Sequence, residues 1–264
     1  MLIGEPPPTQ VDLHFRLFGI PIRVHPFFWI VSLLLVMGRG DKLDPADALI
    51  WVAVVFVSIV VHELGHAFTM RRYGGRPRIT LYSLGGLASC DDCDRSPSRQ
   101  IIISLAGPVA GFLLAGALLL ATYLSGHAIF PVENLDRASV EQWLRQYDGG
   151  VWFFKLGWKT FAFEGFASSI ASRALQDLLF INIWWGLINL LPIYPLDGGR
   201  IARELFTLRH PRRGIIGSLW LSIAAAGLMA AYGLYLQSLF TMLMFGLLAY
   251  SNYQALQAYE RGYY

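Results

Sequence analysis

Residues 48–70 read ALIWVAVVFVSIVVHELGHAFTM, and this stretch decides what kind of chain the sequence encodes. Its first fourteen residues, Ala48 to Val61, carry no charge. An α-helix rises 1.5 Å per residue, so about 20 apolar residues cross the hydrocarbon core of a bilayer. The stretch therefore predicts a membrane-spanning helix, although ionisable side chains lie near its end.

Those ionisable side chains form the motif His62-Glu63-Leu64-Gly65-His66. Residues four apart lie on one face of a helix, so both imidazoles could bind one metal ion, and Glu63 could activate a water molecule without being a ligand. Ionisable groups at membrane depth are costly and usually mark functional sites. The motif therefore predicts a zinc metalloprotease site. The alternative, that the histidines are interfacial residues at a helix end, leaves Glu63 unexplained.

Catalytic zinc takes three protein ligands, and Asp197 is the candidate for the third. It lies in the segment Asn189-Leu-Leu-Pro-Ile-Tyr-Pro-Leu-Asp-Gly-Gly, whose two prolines and two glycines prevent a continuous helix. Non-helical backbone at membrane depth is tolerated where it is buried in protein or lines a wet cavity. We therefore expect Asp197 to face a water-accessible site. The alternative is that Asp197 caps a helix starting near Gly198.

The rest of the chain is also strongly apolar. Of its 264 residues, 55% are hydrophobic and 15% are charged, whereas soluble domains carry about a quarter charged residues. The other predicted spans are residues 24–37, residues 101–124, residues 174–191, and two within the uncharged stretch 214–259, with a turn near Gln237–Ser238. The predicted class is an all-α polytopic membrane protein with about six transmembrane helices. Its predicted parts are an N-terminal segment with the first span (1–47), a catalytic core of three spans (48–200) and a C-terminal two-span hairpin (201–264).

The arginines predict the orientation of these spans. They cluster in two loops, as Arg71, Arg72, Arg76, Arg78, Arg95 and Arg99 after the second span and as Arg200, Arg203, Arg209, Arg212 and Arg213 after the fourth. The positive-inside rule places both loops, both termini and the metal site toward the cytoplasm, in the inner (plasma) membrane of the cell. Residues 151–170 then form an interfacial amphipathic segment on the outer face. A seventh span there would separate Asp197 from the histidines.

Several classes of protein are disfavoured. The net charge of +3 is small and no basic tract is present, so nothing favours nucleic-acid binding. The N-terminus lacks the charged and apolar regions of a cleavable signal peptide. Two cysteines are too few for a disulfide-stapled scaffold. Cys90 and Cys93 have half the spacing of a structural zinc site, and we expect them to be free thiols.

Two motifs together, HELGH in one span and Asn189-x-x-Pro-x-x-x-Leu-Asp-Gly-Gly in a later one, resemble those of the site-2 proteases, which are intramembrane zinc metalloproteases. The resemblance covers about residues 48–200, and Ser104–Pro108 is similar to the small-residue motif of that family. It implies that the chain hydrolyses peptide bonds within or near transmembrane segments of membrane-protein substrates.

The resemblance also implies roles for single residues. His62, His66 and Asp197 would bind one zinc ion, and Glu63 would be the general base. Asn189 would bind substrate or stabilise the oxyanion, the alternative being a polar contact between helices. Many members carry an inserted PDZ domain or a C-terminal CBS pair. Neither is found here, so we expect regulation by a separate membrane protein or by the chain's own loops.

Residues 78–89 alternate in part between apolar and polar and contain Gly85-Gly86, which predicts a strand with a turn. By resemblance, this element would belong to a short sheet beside the active site, whose edge could pair with an unwound substrate. The alternative is a plain cytoplasmic hairpin.

Two other functions compete with the protease. The first is a catalytically idle metal-binding membrane adaptor or chaperone of the same fold, which the complete set of expected catalytic residues disfavours. The second is a transporter that uses His62, Glu63 and Asp197 as an ion pathway. Such transporters often contain inverted repeats, and we detect none in the sequence.

Overall fold

The computed structural model of the protein describes residues 6–37, 44–83, 85–132, 141–143, 146–147, 150–156 and 159–261. Its helices are α1 (Pro26–Met37), α2 (Pro45–Arg72), α3 (Pro97–Leu124), α4 (Ser169–Phe180), α5 (Gly186–Asn189), α6 (Asp197–Arg209), α7 (Pro211–Tyr235) and α8 (Leu239–Glu260). Its strands are β1 (Leu13–Leu17), β2 (Ile20–Val24), β3 (Arg78–Tyr82), β4 (Gly85–Ser89), β5 (Ile129–Val132), β6 (Val151–Leu156) and β7 (Lys159–Glu164). Leu84, inside the predicted strand region 78–89, lies outside the described residues.

Helix α2 contains the histidine motif and is 28 residues long. Asp44 caps its first turn by accepting a hydrogen bond from the Ala46 amide at 2.9 Å, and Pro45 occupies a position where no amide is needed. The helix ends where Gly74 takes a positive φ of +89°, a conformation that glycine adopts without strain. The span predicted over residues 48–70 is therefore a single continuous helix that carries the motif near its C-terminal end.

Three helices in the described part of the chain are long and apolar enough to cross a bilayer, which is fewer than the six predicted. They are Pro45–Arg72, Pro97–Leu124 and Arg213–Tyr235. Large apolar side chains on these helices face outward, as Leu113 (68% exposed) and Leu228 (73% exposed) show. This arrangement is typical of helices in lipid, where apolar side chains need no protein cover.

The other predicted spans are shorter or interrupted. Residues 24–37 form only the 12-residue helix α1, because β2 occupies the chain up to Val24. Residues 174–191 are split among α4, a π-helical turn at Ile181–Trp185 and the short helix α5. The C-terminal stretch is a helical hairpin with its turn at Gln237, where φ is +55°, close to the predicted position.

A four-stranded sheet in the order β1-β2-β3-β4 packs beside α2. Strands β3 and β4 form the predicted strand and turn, with Ile79 opposite Ala88. The hairpin β1-β2 was not predicted; it joins through a parallel pairing in which Ile22 lies opposite Ile79. The buried face of the sheet packs into the same apolar cluster as Leu64 on α2. The sheet is thereby fixed against the helix that carries the histidines.

Residues 151–170, predicted as an interfacial amphipathic segment without a stated secondary structure, contain two strands. Strands β6 and β7 pair antiparallel there and form a three-stranded sheet in the order β5-β7-β6. Aromatic residues such as Phe153 and Phe163 favour strands because they pack well on a pleated surface. Over the residues that the structure describes, the class is therefore mostly helical with two small sheets rather than all-α with one β element.

Candidate metal centre

Three side chains from two distant parts of the sequence converge in the interior. His62 Nε2 lies 3.1 Å from Asp197 Oδ2, and His66 Nε2 lies 3.4 Å from Asp197 Oδ1. The two imidazole Nε2 atoms are 3.2 Å apart. All three residues are buried, with 5–6% of their surface exposed. The structure therefore brings together the three residues that the sequence predicted as ligands.

The hydrogen bond that His66 makes through its second ring nitrogen, Nδ1, shows where a proton of this ring lies. His66 Nδ1 lies 2.6 Å from the carbonyl oxygen of Ile103 on α3, and a carbonyl can only accept a hydrogen bond. Nδ1 therefore carries a proton, and Nε2 is the ring nitrogen that could bind a metal ion. This second bond is the usual way in which a metal-binding histidine is oriented.

The donor set fits a small cation. A lone pair on His66 Nε2, a second imidazole and a carboxylate would repel one another at these distances unless a proton or a cation lay between them. A tetrahedral zinc ion with bonds of about 2.0–2.1 Å places its ligand atoms about 3.3 Å apart. The two Nε2 atoms are 3.2 Å apart, and each lies 3.1 or 3.4 Å from one of the two Asp197 oxygens, separations close to that spacing. The residues present therefore fit a zinc ion by type and by distance.

Asp197 is positioned by an irregular segment and a tightly packed glycine pair. It is the first residue of α6, whose N-cap is Leu196, and its carboxylate faces the histidines rather than capping the helix. A β-carbon on Gly198 would lie 2.1 Å from the Leu190 carbonyl oxygen, and one on Gly199 would lie 2.3 Å from the Tyr194 nitrogen. Only glycine allows the first turn of α6 to pack back on the preceding segment in this way.

Glu63 also lies in the site, but a different partner holds it. Its Oε2 accepts a hydrogen bond of 2.8 Å from the Ala88 amide of β4. Oxygen and nitrogen atoms of His62, Glu63 and His66 lie within 4.8 Å of one another, so these three could also form a metal-binding group. We favour Asp197 over Glu63 as the third ligand, because each Asp197 oxygen lies within 3.4 Å of an imidazole, whereas Glu63 Oε2 is bonded to the Ala88 amide.

The site opens into a cavity of about 250 Å³. Its walls come from α2, the β3–β4 hairpin, the broken segment around α5, and helices α6 and α8, through residues that include Tyr82, Gly86, Trp185, Asn189, Arg200 and Met244. Asn189 donates a hydrogen bond of 3.0 Å from Nδ2 to the Trp185 carbonyl oxygen. That bond stays within its own helical segment, so it is not the contact between helices that was the alternative for this residue.

Two glycines that line the site were not predicted as functional residues. A β-carbon on Gly86 would lie 2.4 Å from Glu63 Cγ, and one on Gly107 would lie 2.2 Å from His66 Nε2. Both belong to small-residue motifs that the sequence analysis noted for other reasons. Their role depends on which helix or strand they face, and a local sequence pattern does not contain that information.

The expectation of free thiols at Cys90 and Cys93 is wrong, because the two cysteines form a disulfide. Cys90 directly follows β4, and Cys93 lies against Gly75, where any β-carbon would meet both sulfur atoms. Next to the disulfide, Arg78 donates a hydrogen bond of 2.6 Å to Asp91. That bond holds the pKa of the Asp91 carboxyl below its usual value. The loop is therefore an ordered continuation of the strand beside Glu63.

The sequence of this chain is similar to those of known proteins. The sequence profile of peptidase family M50 matches residues 50–231. A zinc metalloprotease of Methanocaldococcus jannaschii is 26% identical over 197 residues, which are 74% of this chain and 45% of that protein. Stage IV sporulation protein FB of Bacillus subtilis is 24% identical over 194 residues, 73% of this chain and 50% of that protein. The chain thus spans about half the length of these relatives.

The fold is similar to that of a solved structure, the site-2 protease from Methanocaldococcus jannaschii. The match has a TM-score of 0.56 and 21% sequence identity, and it covers 93% of this chain and 95% of the other. The profile match spans well over half of the chain and contains both the HELGH motif and the Asp197 segment. The chain therefore belongs to peptidase family M50, the site-2 protease family.

Proposed function

We propose that this protein is an intramembrane zinc metalloprotease that hydrolyses peptide bonds in or near transmembrane segments of other membrane proteins. One observation carries the proposal: two imidazoles and a carboxylate meet at 3.1–3.4 Å in a buried site on an apolar helix. Membership in a peptidase family agrees with it.

In this proposal His62, His66 and Asp197 bind one zinc ion per chain. When bound, zinc polarises a carbonyl group and lowers the pKa of water to about 7. The Ile103 carbonyl keeps the His66 proton on Nδ1, so Nε2 stays available as a ligand. The Asp197 carboxylate neutralises part of the positive charge of the zinc ion. A buried site with few solvent contacts requires such a counter-charge.

Glu63 is the proposed general base. Its carboxylate takes a proton from the attacking water as the new C–O bond forms, and it returns that proton to the leaving amide nitrogen as the C–N bond breaks. The Ala88 amide holds one carboxylate oxygen at 2.8 Å and so fixes the direction of the group. Asn189 lines the same cavity, and its amide could donate to the oxygen that gains charge in the transition state.

The proposed substrate is a peptide in extended conformation, because a helix must open before its amide bond can be attacked. Strand β4 is an edge of the four-stranded sheet and lines the cavity with Gly85, Gly86, Leu87 and Ala88. A substrate segment could pair with this edge and gain main-chain hydrogen bonds. A transmembrane segment would reach the edge through the bilayer, which is also the protein's own surroundings.

The proposed topology keeps six spans. Besides the three long apolar helices, α8 has 22 residues and the helical stretch Ser169–Asn189 has 21, which correspond to about 33 Å and 31 Å. Helix α1 is the shortest of the six. In this proposed topology the arginine-rich loops face the cytoplasm, together with the metal site and both termini, in agreement with the positive-inside rule. A separate membrane protein is the proposed regulator.

The deciding experiment compares wild type with Glu63→Gln in metal content and in cleavage. We expect about one zinc per chain in both, and loss of proteolysis only in the variant. Membrane proteins that accumulate in cells carrying Glu63→Gln identify substrates, and one of them, tagged and co-expressed, gives the cleavage assay. Zinc retained in both proteins with equal inactivity would favour the idle adaptor. Wild type without zinc would exclude the proposal.

A further inference from the structure

The segment that leads to Asp197 has little regular structure of its own. Between α5 and α6, the backbone–backbone bonds of residues 190–196 are short and local, such as Ile193 amide to Leu191 carbonyl at 2.7 Å and Leu196 amide to Ile193 carbonyl at 2.8 Å. A helix would fix the direction of Asp197 through repeated backbone bonds, and here no helix precedes it. Other contacts must therefore hold the segment in place.

Both backbone groups of Tyr194, three residues before Asp197, are held by side chains from the C-terminal helices. The Tyr194 amide donates to Ser222 Oγ of α7 at 3.0 Å. Asn252 Nδ2 of α8 donates to the Tyr194 carbonyl oxygen at 2.6 Å. Ser222 and Asn252 are each 1% exposed. Tyr194, in the irregular segment, is thus hydrogen-bonded by side chains of two helices that come later in the sequence.

The opposite side of Tyr194 is closed by the helix that carries Asp197. A β-carbon on Gly199 would lie 2.3 Å from the Tyr194 nitrogen and 2.3 Å from the Ile193 carbonyl carbon. The Tyr194 backbone is therefore packed between the first turn of α6 and the side chains of Ser222 and Asn252. A shift of Tyr194 would be transmitted directly to that first turn, which contains Asp197.

We propose that Ser222 and Asn252 are positioning residues for the metal site, which hold Asp197 in place through the backbone of Tyr194. The inference rests on the proposed function, since it assigns their purpose to the zinc ligand. It also makes the C-terminal hairpin part of the site rather than an accessory to it.

The ordinary explanation, that these side chains only join helices in the membrane, fits Asn252 less well. Each residue makes one bond within its own helix, Ser222 to the Ser218 carbonyl at 2.9 Å and Asn252 to the Leu248 carbonyl at 2.8 Å. Asn252 Oδ1 is buried and has no hydrogen-bond partner among the described residues. A leucine of similar size would avoid that unpaired oxygen, so the contribution specific to asparagine is its amide donor to Tyr194.

The test measures zinc affinity by competition with a fluorescent chelator, on full-length protein in detergent. Ser222→Ala and Asn252→Leu should each weaken zinc binding by about 10-fold or more, the scale found when groups that orient metal ligands are removed. Ser222→Thr keeps the hydroxyl and should keep the affinity. Both residues bond the backbone of Tyr194. The double variant should therefore lose less free energy of zinc binding than the two single variants lose together.

Two matched controls separate positioning from packing. Ser218→Ala removes a buried hydroxyl of the same helix, whose partner among the described residues is the Ile215 carbonyl of that helix at 2.8 Å. Thr122→Val does the same in α3, where Thr122 bonds to Leu118 at 2.9 Å. Both should leave zinc affinity unchanged. Thermal unfolding of the zinc-free proteins shows whether any loss comes from misfolding.

The outcomes separate the two proposals. Wild type that binds zinc, with Ser222→Ala and Asn252→Leu binding equally tightly, would overturn the positioning role and leave the protease proposal intact. Equal losses in the control variants would also overturn it. Wild type that binds no zinc would overturn both proposals.

Discussion

Gly107 lies so close to His66 that a β-carbon on this glycine would fall 2.2 Å from His66 Nε2. The same β-carbon would fall 2.7 Å from His62 Nε2. The backbone of α3 is therefore one wall of the metal centre, and that wall has room for no side chain. The small residues of this helix thus serve the site directly as well as helix packing.

Replacing Gly107 with alanine should displace both imidazoles and abolish zinc binding. Gly116→Ala is the matched control, because Gly116 is in the same helix and a β-carbon there would meet nothing within 4 Å. We expect about one zinc per chain in Gly116→Ala by elemental analysis and far less in Gly107→Ala. Equal zinc content in the two variants would show that the histidines are not confined in this way.

Replacing Gly86 with alanine should impair catalysis without removing the metal. A β-carbon on Gly86 would lie 2.4 Å from Glu63 Cγ and 2.7 Å from Glu63 Oε1, so the carboxylate must move. General bases typically contribute about 10²–10⁴-fold to the rate, and we expect a loss within that range. Gly116→Ala is the control, since a β-carbon there would meet nothing within 4 Å and Gly116 does not line the cavity. Similar cleavage rates in the two variants would contradict this placement of Glu63.

Replacing Asn189 with alanine tests its proposed role in the transition state. Loss of a donor to an oxyanion typically costs about 10²–10³ in kcat, and zinc content should not change. Asn182→Ala is a useful comparison, because Asn182 is also buried but bonds Ser58 at 2.9 Å. That variant should lose stability rather than rate. A kcat for Asn189→Ala within twofold of wild type would leave Asn189 as a structural residue.

Replacing Cys90 and Cys93 together with serine should lower stability slightly and leave zinc content unchanged. A disulfide that closes a loop of four residues stabilises by about 2 kcal/mol in the chain-entropy description. Thermal unfolding of wild type in reductant should match that of the double variant. Because Cys90, Asp92 and Cys93 are also close enough to hold a metal ion, elemental analysis is the sharper measurement. Two zinc ions in wild type and one in the variant would mean that the pair binds metal.

The sequence predicted which residues meet at the site better than it predicted the fold around them. His62, Glu63 and His66 are neighbours in one helix, so helical periodicity alone indicated how they meet. Asp197 was identified because prolines and glycines in a long apolar region predict an interrupted helix, and an interrupted helix at membrane depth must be buried or line a cavity. Both predictions depend on residues close together in the sequence, so the sequence alone was enough to make them.

The features that were missed depend on contacts between distant residues. The parallel pairing of β2 with β3 joins residues more than fifty positions apart. The short run Ile20–Val24 alternates between buried apolar residues and other residues, which favours a strand, but nothing in it indicates β3 as its partner. Likewise, nothing near Ser222 or Asn252 in the sequence indicates that both side chains reach Tyr194. The three-stranded sheet was missed because aromatic runs near a membrane suit an interfacial helix as well as a strand.

The strand order of the sheet beside α2 has a consequence for any shortened form of the protein. With β2 in place, β3 is paired on both sides, and of the β3–β4 hairpin only β4 offers unpaired main-chain groups. A chain without residues 1–24 would lack β1 and β2, so the main-chain groups of β3 that pair with β2 would be exposed as well. A peptide could then pair with that side of β3, which faces away from Glu63, and it would not be cleaved. The β1–β2 hairpin thus occupies the far side of β3. A peptide that joins the β3–β4 hairpin can then pair only with β4, the strand beside Glu63.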